Sequence, residues 1–356
     1  MTESGTTELV TLPGLETVES VQPSPERGHW LQRGPEGKLM LFSGRTNVDL
    51  AERIAERLMI ELGDVHLKTF ANGEVYCRFG ESIRGADVFI VQSCAGPTSN
   101  DGLMELLIMI NAAKLASANR ITAVLPWYPY SRQDKKSAPR EPITAQLVAA
   151  CLETAGVDRV LTMDLHAGQI QGFFTIPVDH MTALPLFAKY YRDRGLSGEG
   201  VVVVSPDPGR AKMATKFAEM LEAGPIALMN KVRPEHDAAS VTAVVGAVEG
   251  KAAILSDDII VTGGTLIAAA NALKANGATE VYACATHGLF PQKALDKLVV
   301  SELAEIVVTD SVAHDPVTRP EKLRVLTVAG LLADTIQNVF SDKSVSAIFA
   351  GENQLF

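Results

Sequence analysis

Short β-branched runs alternate with helix-like stretches from residue 39 to residue 340, and this alternation leaves few folds open. Strand patterns at 39–42, 88–92, 121–126 and 159–164 alternate with helical ones. The helices start at Asn47 as a cap, with Leu50, Ile54, Leu58 and Leu62 on one face, and recur at 103–118 and 144–155. Residues 65–70 and 74–79 read as two strands around Asn72-Gly73, a dipeptide suited to a hairpin turn. A second series opens near Thr182. Its helices lie at 184–194, 211–221, 266–276 and 329–340, and its apolar runs at 201–205, 226–229, 254–260, 280–286, 292–299 and 306–309. Strands joined by crossover helices pair in parallel and carry their chemistry on the loops after the strands. The expected fold class is α/β, with two domains, each a mostly parallel sheet flanked by helices. Residues 1–38, broken by Pro13, Pro23, Pro25 and Pro35, read as a flexible N-terminal arm; the domains read as 39–181 and 182–338, with a C-terminal return to the first at about 339–356.

The loops that follow strands hold the polar residues that need explaining. Residues 254–265 read ILSDDIIVTGGT: an apolar run, two carboxylates, a small-residue turn, then a helix. Gly263 and Gly264 let backbone N–H groups converge, Thr262 and Thr265 add hydroxyls, and the helix brings its positive end to the same point. Asp257 and Asp258 repel phosphate, so they suit ribose hydroxyls or a metal ion. The pattern fits a sugar phosphate held at both ends; the plainer alternative is a buried strand with two Asp capping the next helix. In Ser131-Arg132-Gln133-Asp134-Lys135-Lys136, cations follow Trp127, Tyr128 and Tyr130, a combination suited to a nucleotide's phosphates and base. His166 in Asp164-Leu165-His166 and Asp207 in Ser205-Pro206-Asp207 end equivalent strands of the two series. They fit a shared metal, or a structural His and a helix-capping Asp.

Bulk properties narrow the class. Hydrophobic residues make up 47 % of 356 and charged residues 21 %, enough for large cores. The net charge of −10 argues against a general nucleic-acid binder or an anionic-membrane binder. An acidic protein that handles phosphate must gather its cations locally or use Mg²⁺ as a bridge. Cys77, Cys94, Cys151 and Cys284 match no zinc spacing and fit reduced thiols. No apolar run approaches a membrane span of about 20 residues, and the N-terminus lacks a signal-peptide pattern, so a cytoplasmic protein is expected.

Taken in order, SGRTN (43–47), FANGE (70–74), SRQDKK (131–136), REPITAQLVA (140–149), DLHAGQIQGFF (164–174), IPVDH (176–180), SPD (205–207), KVRP (231–234) and DDIIVTGGT (257–265) resemble the ribose-phosphate pyrophosphokinase family over roughly residues 39–350. The resemblance implies two phosphoribosyltransferase-like domains and transfer of the β,γ-diphosphoryl group of Mg-ATP to ribose 5-phosphate. The products are phosphoribosyl pyrophosphate (PRPP) and AMP. It further implies ATP contacts at Phe70, Asn72, Gly73, Glu74, Arg132 and Gln133, the hairpin residues being donated by a neighbour in a hexamer or dimer-based homo-oligomer. His166 and Asp207 would be linked to Mg²⁺, and Lys231 and Arg233 would close over the transferred group. Ribose 5-phosphate would meet Arg233, Asp257, Asp258, Val261, Thr262, Gly263, Gly264 and Thr265. The chain departs from the family pattern at Val261, where many members have Asp, at Val232, and in the segment after Asp207. A phosphoribosyltransferase, or a non-catalytic regulatory homologue of the synthetase, are the rival readings.

Overall fold

The computed structural model describes residues 31–33, 37–95, 99–232, 241–291 and 293–346. Residues 1–30 and 34–36 of the expected arm, Arg233 and residues 347–356 lie outside the described residues. Residues 31–33 and 37–38, expected to be part of a flexible arm, instead pair as strands because their backbone groups complete the edge of the first sheet. The first half contains β1 (Leu31–Arg33), β2 (Gly37–Ser43), α1 (Val48–Leu58), β3 (Val65–Thr69), β4 (Val75–Phe79), β5 (Asp87–Val91), α2 (Ser99–Leu115), β6 (Arg120–Leu125), α3 (Thr144–Ala155), β7 (Arg159–Met163) and β8 (Val178–Met181). Apart from the separate β3–β4 hairpin, the strands form one sheet in the order β1-β2-β5-β6-β7-β8, parallel from β2 onward.

The second half contains α4 (Leu184–Asp193), β9 (Val201–Ser205), α5 (Ala211–Met220), β10 (Ala227–Val232), β11 (Val241–Val245), β12 (Ala252–Ile260), α6 (Gly264–Ala275), β13 (Glu280–Gly288), α7 (Ala294–Val299), β14 (Glu305–Thr309), β15 (Leu323–Leu326) and α8 (Ala329–Phe340). Its sheet runs β11-β10-β9-β12-β13-β14-β15, with only the β10–β11 pair antiparallel. From β9 the chain steps outward to β10 and β11, then returns to the other side of β9 as β12. The direction of winding therefore reverses between β9 and β12, and a crevice opens beyond their carboxyl ends.

The fully buried runs Leu39–Phe42 and Val201–Val204 are continuous apolar strands because both faces of each sheet are covered. One continuous core joins the two sheets: Leu50 and Ile54 of α1, Phe187 and Tyr191 of α4, Phe217 of α5, and Leu332 and Ile336 of α8 pack with strand residues from both halves. The outer faces are closed separately, by α2 and α3 on the first sheet and by α6 and α7 on the second. A smaller cluster of Trp127, Ile259 and Val312 lies where the strand-end loops meet.

Several local expectations change. Asn47 occupies the N-cap position of α1, but its side chain makes no capping bond; it donates to Ser93 Oγ (3.2 Å) and to the Asp310 carbonyl (2.8 Å), linking the two halves. The helix stops at Met59, whose φ of 58° reverses the chain, so Leu62 packs on the core from beyond it. The aromatic faces expected to meet a base are committed elsewhere. Trp127 is buried edge-on against His287 at 4.8 Å, and Tyr128 is buried with its hydroxyl donating to the Ala145 carbonyl. Burial of large aromatic surface outweighs their availability to a ligand.

Candidate active site

The crevice beyond β9 and β12 is a cavity of about 470 Å³, and the loops of both sheets build it. From the second sheet come Asp207 and Arg210 after β9, Met229 and Asn230 in β10, and the continuous segment 257–266. From the first come Arg132 and His166. This is an ordinary volume for a small-ligand site.

The acidic pair lies near the carboxyl end of β12, two residues before its last, with Asp257 opposite Ala285 of β13. Neither Asp caps α6: Gly263 is its N-cap, and Asp257 Oδ1 accepts the Asp258 backbone N–H at 2.9 Å. Gly263 has φ 73°, and a Cβ placed there would come within 2.6 Å of the Leu298 side chain. Only glycine meets both conditions. Thr262, Gly264 and Thr265 are exposed at the mouth of the helix, whose first amides and positive dipole end are suited to an anion.

Asp258 is nearly fully buried and forms a compact cluster with His166 and Arg210. Its Oδ2 lies 2.8 Å from His166 Nδ1 and 2.8 Å from Arg210 Nη2. Arg210 Nη2 also donates to the His166 carbonyl at 2.8 Å. Burial pushes the Asp258 carboxyl up, but the His166 hydrogen bond and the Arg210 charge outweigh it and hold the carboxyl below its usual range. Asp257 goes the other way, raised by burial and by the charge of Asp258. Asp258 Oδ1 is buried with no protein hydrogen-bond partner among the described residues, an acceptor that a ligand hydroxyl would satisfy.

His166 is held by the strand end before it. Asp164 adopts φ 32°, and its Oδ2 accepts the Ala183 N–H (2.8 Å) and the Thr286 hydroxyl (2.6 Å). The Leu165 N–H donates to His180 Nε2 at 2.8 Å. Gln169 donates to Asp134 (2.7 Å), fixing the loop that carries Arg132 beside the His166 loop. His287 of β13 places Nε2 3.1 Å from the Met163 carbonyl and 3.2 Å from that of Asp164, while Nδ1 faces Ser311 Oγ at 2.9 Å. The rims of the two sheets are thus stitched together around the cavity.

Residues 39–156 match the family model described as the N-terminal domain of ribose phosphate pyrophosphokinase, and 228–350 match the phosphoribosyl synthetase-associated domain. The chain is 49 % identical over 309 residues to the ribose-phosphate pyrophosphokinase of Fusobacterium nucleatum, covering 87 % of this chain and 97 % of that protein. It is 50 % identical over 311 residues to that of Caldanaerobacter subterraneus, covering 87 % and 98 %. The chain belongs to the ribose-phosphate pyrophosphokinase family. The crystal structure of phosphoribosylpyrophosphate synthetase from Mycobacterium smegmatis matches it with a TM-score of 0.79 and 46 % identity, over 85 % of this chain and 99 % of that one. The protein is accordingly a ribose-phosphate diphosphokinase, a transferase of nucleotide biosynthesis that makes PRPP.

Against this synthetase framework, the cavity gathers Arg132, His166, Asp207, Asp257, Asp258, Val261, Thr262, Gly263, Gly264 and Thr265. It does not gather the others. Gln133 is exposed and accepts from Thr144 Oγ1. Phe70, Asn72, Gly73 and Glu74 line a separate concavity with Asp101 and Met104. Lys231 has its backbone in β10, and Arg233 lies outside the described residues. Asp207 is exposed and makes no helix-capping bond, so its carboxylate is free of the structural role open to it in the sequence. Sequence reasoning missed Arg210: a single basic residue three positions after Asp207 gives no hint that its target is a histidine on the other sheet.

Proposed function

We propose that the cavity binds Mg-ATP and ribose 5-phosphate together and transfers the β,γ-diphosphoryl group to the sugar's 1-hydroxyl, releasing AMP. One observation carries this reading: the acidic pair, the small-residue cradle, His166, Asp207 and Arg132 line one cavity at the winding reversal. The amides and hydroxyls of 261–265 hold the 5-phosphate, with the α6 dipole behind them. Asp257 and Asp258 take the ribose hydroxyls; the orphaned Asp258 Oδ1 supports this. Arg132 meets nucleotide phosphate.

His166 and Asp207 are the residues to hold the metal. Among the described residues no three His, Cys, Asp or Glu side chains converge. Two protein donors nevertheless suit Mg²⁺, which keeps several waters and shares its remaining positions with substrate phosphates. When bound, the ion supplies charge neutralisation and polarisation of the diphosphoryl group. The transfer needs alignment and electrostatic stabilisation rather than a covalent intermediate, and Lys231 and Arg233 supply the mobile cations. No protein general base is assigned.

In this reading Phe70, Asn72, Gly73 and Glu74 reach the ATP of a neighbouring copy, which accords with their lining a concavity separate from their own chain's cavity. The working form is then a homo-oligomer, a hexamer or dimer-based, in the cytoplasm, organised as an arm (1–38) and domains 39–181 and 182–338 with a return at 339–356. Among the described residues no helix is long and apolar enough to cross a membrane.

The deciding experiment measures AMP and PRPP made by the isolated chain from Mg-ATP and ribose 5-phosphate, beside Lys231→Ala. Equal amounts of both products, with most of the rate lost in Lys231→Ala while ATP still binds, are expected. Binding of ribose 5-phosphate without any AMP would refute catalysis and leave a regulatory homologue.

A further inference from the structure

Arg210 is only slightly exposed and bridges the two halves: it meets the acidic pair of β12 in its own sheet and a histidine loop carried by the other. Three atoms form a triangle: His166 Nδ1, Asp258 Oδ2 and Arg210 Nη2, each pair 2.8 Å apart. Donor counting favours one arrangement of the protons in it. Arg210 Nη2 has two hydrogens; one goes to the His166 carbonyl, leaving one for the triangle. If Nδ1 carried no proton, its lone pair would face the Asp258 carboxylate at 2.8 Å with no hydrogen between them. With Nδ1 protonated, Nδ1–H and the second Nη2 hydrogen both donate to Asp258 Oδ2. Two of the three contacts are then charge-assisted hydrogen bonds, and the third, Nη2 to Nδ1, is the close approach of two donors that share one carboxylate oxygen. The lone pair of the ring then lies on Nε2, which has no protein partner among the described residues.

We infer that Arg210 is a positioning residue: together with Asp258 it clamps the His166 ring and main chain so that an unprotonated Nε2 is presented to the cavity. Arg210 acts through His166 rather than on the substrate. Its bond to the His166 carbonyl fixes the backbone, its bond to Asp258 fixes the carboxylate that orients the ring, and its Nε lies 3.9 Å from Asp257 Oδ1. A planar guanidinium can bridge these groups at once, whereas an ammonium offers a single point of charge. Orientation of an imidazole by an acceptor on its far nitrogen is how proteins prepare such a ring to ligate a cation. The inference about the ring stands on geometry alone; its consequence for metal binding rests on the metal assignment to His166 made above.

The test uses the full chain labelled with ¹⁵N-histidine, in wild type, Arg210→Met and Arg210→Lys, with His166→Asn to assign the resonance. Long-range ¹H–¹⁵N correlation of the metal-free protein reads the ring tautomer, and Mn²⁺ titration in the presence of ADP reads cation affinity. The wild type is expected to show one tautomer, protonated on Nδ1. Arg210→Met, which keeps the length but not the donors, is expected to show a mixture and to bind Mn²⁺ about tenfold to hundredfold more weakly. Arg210→Lys keeps the charge beside Asp258 and should recover part of both. Protonation on Nε2 in the wild type, or an unchanged tautomer in a folded Arg210→Met, would overturn the inference. If Arg210→Met unfolds, loss of the single tautomer in folded Arg210→Lys is the expected result and its full retention overturns the clamp. A single Nδ1-protonated tautomer that Arg210→Met disperses, with Mn²⁺ affinity indifferent to His166→Asn, upholds the clamp and refutes only the metal assignment.

Discussion

Replacing Gly263 with alanine tests the phosphate cradle at its tightest point. Two separate strains follow from one added methyl. The backbone holds φ 73°, a region that costs an L-residue about 1–2 kcal/mol. The new Cβ would also sit 2.6 Å from the side chain of Leu298, which is fully buried and cannot swing aside into solvent. Overpacking of this kind costs about 1–3 kcal/mol, so Gly263→Ala should destabilise by about 2–5 kcal/mol, or shift the loop to relieve the strain. A shifted loop misaims the amides at the start of α6. Losing one charge-assisted bond to phosphate, worth about 1.5–3 kcal/mol, raises the KM for ribose 5-phosphate about tenfold to a hundredfold. Denaturant melts and initial rates with varied ribose 5-phosphate measure both quantities. The double variant with Leu298→Ala separates them: although that change alone costs about 2–5 kcal/mol, it removes the clash and leaves the backbone strain. A coupling of about 1–3 kcal/mol is expected. Gly263→Ala with wild-type stability and wild-type KM would refute the reasoning.

Other outcomes follow from the same geometry. His180 is buried and accepts the Leu165 N–H, and burial lowers its pKa to about 4. The unfolded state binds the proton first, so stability is full above about pH 6.5 and falls toward pH 4, by up to about 1.4 kcal/mol per pH unit from this group. His180→Gln should flatten that slope in melts taken across the interval; an unchanged slope would place the effect elsewhere. Asp310 accepts the Val328 N–H (2.8 Å) and the Arg53 guanidinium (3.0 Å), so Asp310→Ala should cost about 1–3 kcal/mol by leaving a buried amide unpaired. Asp207→Asn should leave the melting curve within about 0.5 kcal/mol, because the carboxylate is exposed and caps nothing, while raising the Mg²⁺ concentration needed for half-maximal rate. An equal loss of stability would return Asp207 to a structural role.

Most of the fold was legible because its strands are either continuous apolar runs, as in Val201–Ser205, or precede a helix with a clear stripe, as in α1. The strands that went unread, β1, β8, β11 and β15, are the outer strands of their sheets, where a short segment needs little periodicity of its own. The turn from Asp257 to Thr265 into α6, which lines the cavity, could be read because glycine at that point meets a local backbone requirement. Arg210 could not. Its role depends on which loop of the other sheet lies opposite, and nothing local in the sequence encodes that neighbour. Asn47 was read for its position and misread for its partner, since a side chain at a helix start can serve the first turn or a carbonyl 263 residues further on. Trp127 and Tyr128 were misjudged because an aromatic residue beside a basic loop reads alike whether its ring faces a ligand or the interior.

The helical layer of α1, α4, α5 and α8 has a thermodynamic consequence. It is the interior of both halves at once, so neither sheet can open without exposing apolar surface that belongs equally to the other. A chain with two sheets would ordinarily melt as two loosely coupled units. Here the two halves should form a single cooperative unit, with calorimetric and van't Hoff enthalpies that agree. Neither half, cut near Met181, would hold its structure in water.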